Sequence, residues 1–141
     1  MALDKTNGVI SGNDCFVWLN GELLEDIKSF EWKVSLDFAD VNYLGDHRTY
    51  KKFQGYTGEG TLTFNKVQSR GIKLLRDAIK SGIMPDVVIT TKMGNKATGK
   101  AERAVITGIT FSEFGANSEA KSIAEESIPF SFADIDFPEV M

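Results

Sequence analysis

Phe30, Trp32, Val34, Leu36 and Phe38 alternate with Ser29, Glu31, Lys33, Ser35 and Asp37. This period of two predicts a strand with one buried and one wet face. Alternation of this kind belongs to antiparallel sheets, whose outer face can meet water, rather than to the continuous apolar runs of parallel sheets. Upstream, Cys15-Phe16-Val17-Trp18-Leu19 is rich in strand formers, Asn20-Gly21 signals a two-residue hairpin turn, and Glu22 to Ile27 supplies a return strand. Downstream, Ala39 to Gln54 breaks the alternation and reads as a long loop, a length usually tied to function. Gly55, Gly58 and Gly60 then lead into a short strand, Thr61 to Phe64, with freedom for a bend or bulge.

One helix is predicted. Ser69 caps it, Ile72, Leu75 and Ile79 share a face with Leu74 and Ala78 beside them, and Gly82 and Pro85 stop it. The remainder reads as strand: Val87 to Lys92, Arg103 to Phe114 with a bend at Gly108, and Ile128 to Phe137, while Ser118 to Glu126 is weakly helical or coil. Residues Met1 to Asn13 are polar with no sustained period and read as an extended arm. The expected fold is therefore mainly β, an antiparallel sandwich or barrel with one short α-helix, an N-terminal arm and a long loop. Trp32, Leu36, Phe64, Phe130 and Phe132 are its expected core.

Composition narrows this picture. The chain has 141 residues, 42% hydrophobic and 26% charged, with ten Phe, two Trp and three Tyr. That supports one domain, residues 1–141, with a single core. The lone Cys15 excludes an internal disulfide and a cysteine-based zinc site. No basic start followed by an apolar run marks a secretory signal, and no stretch reaches the roughly 18 apolar residues of a membrane span, so a cytoplasm-like compartment is expected. The net charge of -4 argues against wrapping nucleic acid through its phosphates.

Little catalytic vocabulary is present. Gly94 to Lys100 has the glycine and lysine spacing of a phosphate-binding loop, but Ala101 stands where a hydroxyl must reach magnesium, and a strand, not a helix, follows. A Gly- and Lys-rich hairpin tip accounts for it. His47 beside Asp46 lacks a second histidine or local nucleophile and reads as an exposed loop residue. Cys15 sits in an apolar strand without a cationic partner and reads as a small hydrophobe. Asp134 and Asp136 share a strand face, as a solvated edge would, and Glu125-Glu126 offers no spacing that demands a metal. The Gly55, Gly58, Gly60 series lacks the strand-then-helix setting of a dinucleotide site. No catalytic, cofactor-binding or metal-binding residue is assigned.

Charge is segregated along the chain. Residues 47 to 54 carry Arg48, Lys51 and Lys52 with no acid, and residues 92 to 103 carry Lys92, Lys96, Lys100 and Arg103 against Glu102. Residues 113 to 141 carry seven acids against Lys121 alone. Basic loops meeting acidic patches of identical neighbours would form a heterologous contact, which closes into a ring if the rotation allows.

The order of these elements resembles a known family. A polar arm, Phe16-Val17-Trp18-Leu19-Asn20-Gly21-Glu22, the Lys28 to Phe38 strand, a basic loop, Gly55-Tyr56-Thr57-Gly58-Glu59-Gly60-Thr61-Leu62, Lys66-Val67-Gln68-Ser69 before a short helix, and Pro129-Phe130-Ser131-Phe132 together are similar to the tail tube protein of contractile phage tails. The similarity is to the kind found in Gram-positive phages and defective prophages, and covers about residues 12 to 137.

The resemblance implies stacked hexameric rings around a hollow lumen, with sheets joined between subunits and arms and long loops bridging rings. It also implies contacts with sheath, tape-measure and baseplate or terminator proteins. DNA would be only transient lumen cargo, and there would be no stable membrane binding, no cofactor and no enzymatic activity. The expected location is a virion tail or tail-like particle, assembled in the bacterial host cytoplasm. Asp40, His47, Arg48, Lys51 and Lys52 are the expected oligomer contacts, with the Met1 to Asn13 arm and the Asp40 to Gln54 loop joining rings. A secretion-system ring protein and a small monomeric ligand-binding barrel are the rival readings.

Overall fold

A computed structural model of the chain describes residues 6, 9–67, 70–113, 115 and 119–140. Most of the expected arm, the Ser69 cap, Phe114 and Ser118 lie outside them. After a 3₁₀ turn at Gly12–Asp14 come strands β1 (Cys15–Leu19), β2 (Glu22–Leu23), β3 (Ile27–Asn42) and β4 (Thr49–Asn65). Helix α1 (Arg70–Ser81) follows, then β5 (Ile89–Asn95), β6 (Lys100–Phe111) and β7 (Glu125–Glu139). All neighbouring strands run antiparallel in one seven-stranded sheet ordered β2-β1-β5-β6-β7-β4-β3. The mainly β, antiparallel fold with one short helix is as the sequence predicts, but the sheet is open, with β2 and β3 as its edges.

Local chemistry explains the connections. Asn20 and Gly21 have φ of 52° and 85°, the left-handed pair that a tight hairpin turn requires. The return strand is shorter than predicted, because pairing with β1 stops at Leu23 and Ile27 already opens β3. The Asn20 carboxamide then accepts from the Val88 amide at 2.8 Å, tying this turn to the approach to β5. Gly108, where a bend was expected, has φ of 65° within the continuous strand β6. Strand β7 begins at Glu125, so the stretch read as helix or coil is strand in its last two residues.

The core gathers Val17 and Leu19 from β1, Ile89 from β5, Ile106 and Phe111 from β6, Ile128, Phe130 and Phe132 from β7, and Leu62 and Phe64 from β4. Leu75 of α1 closes one end, whereas Ile72 and Ile79 of the same helix stay exposed. Strand β3 contributes no fully buried side chain. Ile27, Phe30, Trp32 and Val34 only half-bury against the cluster, and Leu36 is 57% exposed. Phe64, Phe130 and Phe132 are thus in the core and Trp32 is at its margin, but Leu36 is a correction: the alternation carries it onto the inner face beyond the point where any strand or helix covers that face.

Candidate assembly surface

The long loop read over Ala39 to Gln54 is instead the far half of a hairpin. Strand β3 continues to Asn42 and β4 starts at Thr49, with pairs running from Ile27–Phe64 to Asn42–Thr49. The near half of this hairpin is backed by β7, which pairs with β4 from Asn65–Glu125 to Gly58–Phe132. There β7 departs. It follows β6, pairing Thr107 with Asp134 and Ile106 with Ile135. Residues Thr49 to Thr57 of β4 consequently pair with β3 alone, and the far half projects as a two-stranded ribbon with two unpaired edges.

Two glycines mark the boundary. Gly58 and Gly60 lie directly opposite Phe132 and Phe130. A Cβ on Gly58 would sit 2.1 Å from the Phe132 ring, and one on Gly60 would sit 2.6 Å from the Phe130 ring and 2.5 Å from the Glu31 carbonyl oxygen. The absent side chains let both aromatic rings lie over the β4 backbone, so these two glycines serve ring packing, while the bulge expected of the glycine series falls beside Gly55.

On the ribbon, the face continuous with the core carries the pairs Leu36–Tyr56, Phe38–Phe53, Asp40–Lys51 and Asn42–Thr49. The Phe38 and Phe53 rings meet edge to face at 5.9 Å and are about half exposed. Leu36, Phe38, Phe53 and Tyr56 form an uncovered apolar strip, next to which the tilted rings of Trp32 and Phe137 meet at 5.7 Å. Sequence reasoning missed this strip because Tyr50, Phe53 and Tyr56 are spaced by three. The missing step is a bulge: pairing shifts between Asp37–Gly55 and Phe38–Phe53, leaving Gln54 as the extra residue. That insertion returns Phe53 to the face of Tyr56.

The expected contact residues all lie on this ribbon. Asp40 and Lys51 form a cross-strand ion pair. Lys52, opposite Ala39, belongs to the other face from Lys51, so the two lysines cannot serve one flat contact. His47 is exposed near the tip. Arg48 donates from Nε to Asp46 at 3.2 Å and lies 5.8 Å over the Tyr50 ring. Asp46 also accepts from the Arg48 amide at 2.9 Å and the Tyr50 hydroxyl at 2.8 Å. These bonds hold its carboxyl below the usual carboxylate range, with the Arg48 amide the main cause, and push the Tyr50 hydroxyl up. The tip is therefore a built turn, not a slack loop.

The other candidates have structural settings. Residues 94 to 101 form the β5–β6 tip, where Asn95 Oδ1 accepts from the Ala97 amide at 3.0 Å, and β6 follows directly. Cys15 is half-buried, its thiol pushed up first by burial and then by Asp14, the reverse of an activated nucleophile. Asp134 accepts from the Tyr56 hydroxyl at 3.2 Å, and Asp136 from the Phe137 amide at 2.9 Å. Glu125 pairs with Lys28, and the buried Glu126 pairs with Lys66 at 2.9 Å. Among the described residues, no group of three or more His, Cys, Asp or Glu side chains is placed to hold a metal ion.

The sequence matches the family described as phage tail tube protein over residues 3–139. The chain belongs to the phage tail tube family. Within it, the chain is 34% identical over 145 residues to the phage-like element PBSX protein XkdM of Bacillus subtilis, covering 99% of this chain and 96% of that protein. It is 33% identical to YqbM of the same organism over 143 residues, with the same coverage.

The tail tube fold recurs in solved structures of low sequence identity. The anti-feeding prophage tube-terminating cap superposes with a TM-score of 0.78 at 12% identity, covering 99% of this chain and 95% of that one. A chain of the PVC sheath–tube complex gives 0.72 at 16%, covering 96% and 95%. The SPP1 tail tube gives 0.70 at 11%, covering 94% and 81%.

Proposed function

We propose that this tail tube subunit assembles with itself into hexameric rings that stack into the hollow inner tube of a contractile tail or tail-like particle. The carrying observation is the ribbon: Leu36, Phe38, Phe53 and Tyr56 remain exposed on a strip continuous with the core, beside unpaired β3 and β4 edges. An apolar strip bordered by open strand edges is an aggregation hazard in a monomer and a joint in a polymer. Joining edges between subunits satisfies the backbone and covers the strip together. The outer partner is a sheath, the ends meet baseplate and terminator proteins, and a tape-measure protein and DNA occupy the lumen in turn. No catalytic step is required of the subunit.

Electron microscopy and light scattering of the purified chain test this. Rings or tubes that grow with concentration are expected, and a concentration-independent monomer would remove the reading. Replacing Lys51 and Lys52 by Glu should shorten the tubes while circular dichroism stays that of the folded chain. Unchanged tube length would take both lysines, one on each face of the ribbon, out of any contact between subunits.

A further inference from the structure

The part of the sheet built from β1, β5 and β6 buries Val17, Leu19, Ile89, Ala104 and Ile106 on one face. Alternation turns Phe16, Trp18, Lys92, Arg103 and Val105 to the other. Pairing sets that outward face in rows. One runs Phe16–Lys92–Arg103–Glu139, and the next Trp18–Thr90–Val105–Asp136.

The first row holds an unbalanced pair. Lys92 and Arg103 stand directly opposite each other and are both half-buried, an arrangement in which like charges weaken the pairing of their strands. Neither side chain forms an ion pair or a hydrogen bond with any described residue, and Arg103 Nε is buried without a partner. The neighbouring acids do not answer them. Glu139 faces Arg103 only across a shift in the β6–β7 register, Asp136 takes the Phe137 amide at 2.9 Å, and Asp14 pairs with Lys96 at 3.5 Å. Beside the two cations lies an apolar step. The Phe16 and Trp18 rings meet tilted at 6.1 Å, and Phe16 and Leu23, the latter opposite Trp18, are each 39% exposed.

A carboxylate placed between Lys92 and Arg103 would relieve their repulsion. The guanidinium makes no bond where it lies, so turning it outward forfeits none and offers two parallel N–H donors to the incoming oxygens. An apolar side chain next to that carboxylate would cover Phe16 and Leu23. Nucleic acid fits less well, because its affinity is built from many phosphate contacts and this face offers two cations beside an acid.

We propose that this outward face docks an acidic peptide segment of a partner protein, with one Asp or Glu held between Lys92 and Arg103 and a neighbouring apolar side chain laid on Phe16 and Leu23. It uses none of the ribbon residues on which the tube reading rests, so either can fail alone.

The probe is a fluorescent, end-blocked peptide of alternating glutamate and leucine, titrated with the full chain and read by anisotropy. It should bind, while its glutamine–leucine counterpart and an oligothymidylate of equal charge should not. Lys92→Gln and Arg103→Gln should each weaken binding by on the order of tenfold or more. Carbodiimide, which joins an amine to a carboxylate in contact with it, should link the peptide to Lys92, as read by mass spectrometry. In the absence of peptide, Lys92→Gln should raise the urea midpoint, since it removes a repulsion.

No binding of the glutamate peptide, equal binding of the glutamine peptide, or unchanged affinity in both variants would overturn the docking face. Tighter binding of the oligothymidylate would overturn it in favour of a nucleic-acid surface. A lowered urea midpoint would also count against it, by showing that Lys92 serves the fold.

Discussion

The two halves of the β3–β4 hairpin are continuous in backbone and similar in composition, yet they differ in what stands next to them. In the near half, β7 pairs with β4, and Phe130 and Phe132 lie over Gly60 and Gly58, so Leu62 and Phe64 are buried. In the far half β7 has left to follow β6, and Phe38 and Phe53, no less apolar, are half exposed. Burial along a strand is thus set by the reach of its neighbours, while the hydrophobic pattern states only which face would be buried if a neighbour came. The near half is finished within the chain; the far half is left for the proposed assembly to finish.

The widest split between the halves should come from truncating one aromatic in each. Phe130→Ala removes a buried ring and should cost about 3–5 kcal/mol of stability by urea denaturation. Phe53→Ala, in the far half, should stay within about 0.5 kcal/mol in the unassembled chain. Similar losses at both positions would mean the ribbon is packed within the monomer after all.

Next in size is Gly60→Ala. The added methyl meets the Phe130 ring and the Glu31 carbonyl, and overpacking of this kind costs about 1–3 kcal/mol. Combined with Phe130→Ala, its cost should shrink, since the ring no longer presses on it, and a double-mutant cycle reads that coupling. Strict additivity would show that the glycine and the ring do not share the space.

This contrast also locates what could be read from the residues. The near half was legible because Phe30 to Val34 alternate strictly and Pro129 to Phe132 supply their cover. The Asn20-Gly21 turn, the left-handed Gly108 and the single helix were legible for a related reason: each rests on a local conformational demand. The far half was not, since one inserted residue, Gln54, shifts Phe53 out of step with Tyr56, and a pattern rule cannot tell a bulge from a loop. Leu36 failed differently. Its alternation was sound, but coverage depends on where β7 turns away, a fact fixed by the β6–β7 register far along the chain. Of the proposed contact surface, the charged residues were visible from their segregation, while the apolar strip was not.

A smaller effect on the isolated chain, but a decisive one for assembly, is expected from Leu36→Ser with Phe38→Ser. Both side chains are already exposed, so monomer stability should shift by no more than about 0.5 kcal/mol each. Sedimentation should nonetheless show rings and tubes giving way to monomers. Intact tubes from this variant would assign the strip no role in joining subunits.

The smallest effect is confined to the tip and follows from pH. Asp46 is held below the usual carboxylate range by the Arg48 amide, the Tyr50 hydroxyl and Arg48 Nε. Its contribution to the turn is therefore present at neutral pH and lost as pH falls through and below that range. Tyr50 is raised by donating to Asp46, so this bond is also lost on the alkaline side, as pH climbs past the ordinary tyrosine value. Order at the tip should have a window with two edges, while the exposed position of these groups leaves global stability almost unmoved.

The methyl signals of Leu44, fully exposed in the turn that the Asp46 amide closes onto the Tyr43 carbonyl, report it most directly by NMR, in the Leu36→Ser, Phe38→Ser variant expected to stay monomeric. They should shift and sharpen toward free-chain values at the acid edge, and Asp46→Asn should abolish that edge. A tip that keeps its signals unchanged through the acid range would show that the turn at Tyr43–Asp46 is held by its backbone and Gly45 alone. The far half would then be preorganised by turn geometry, without help from the charge beside it.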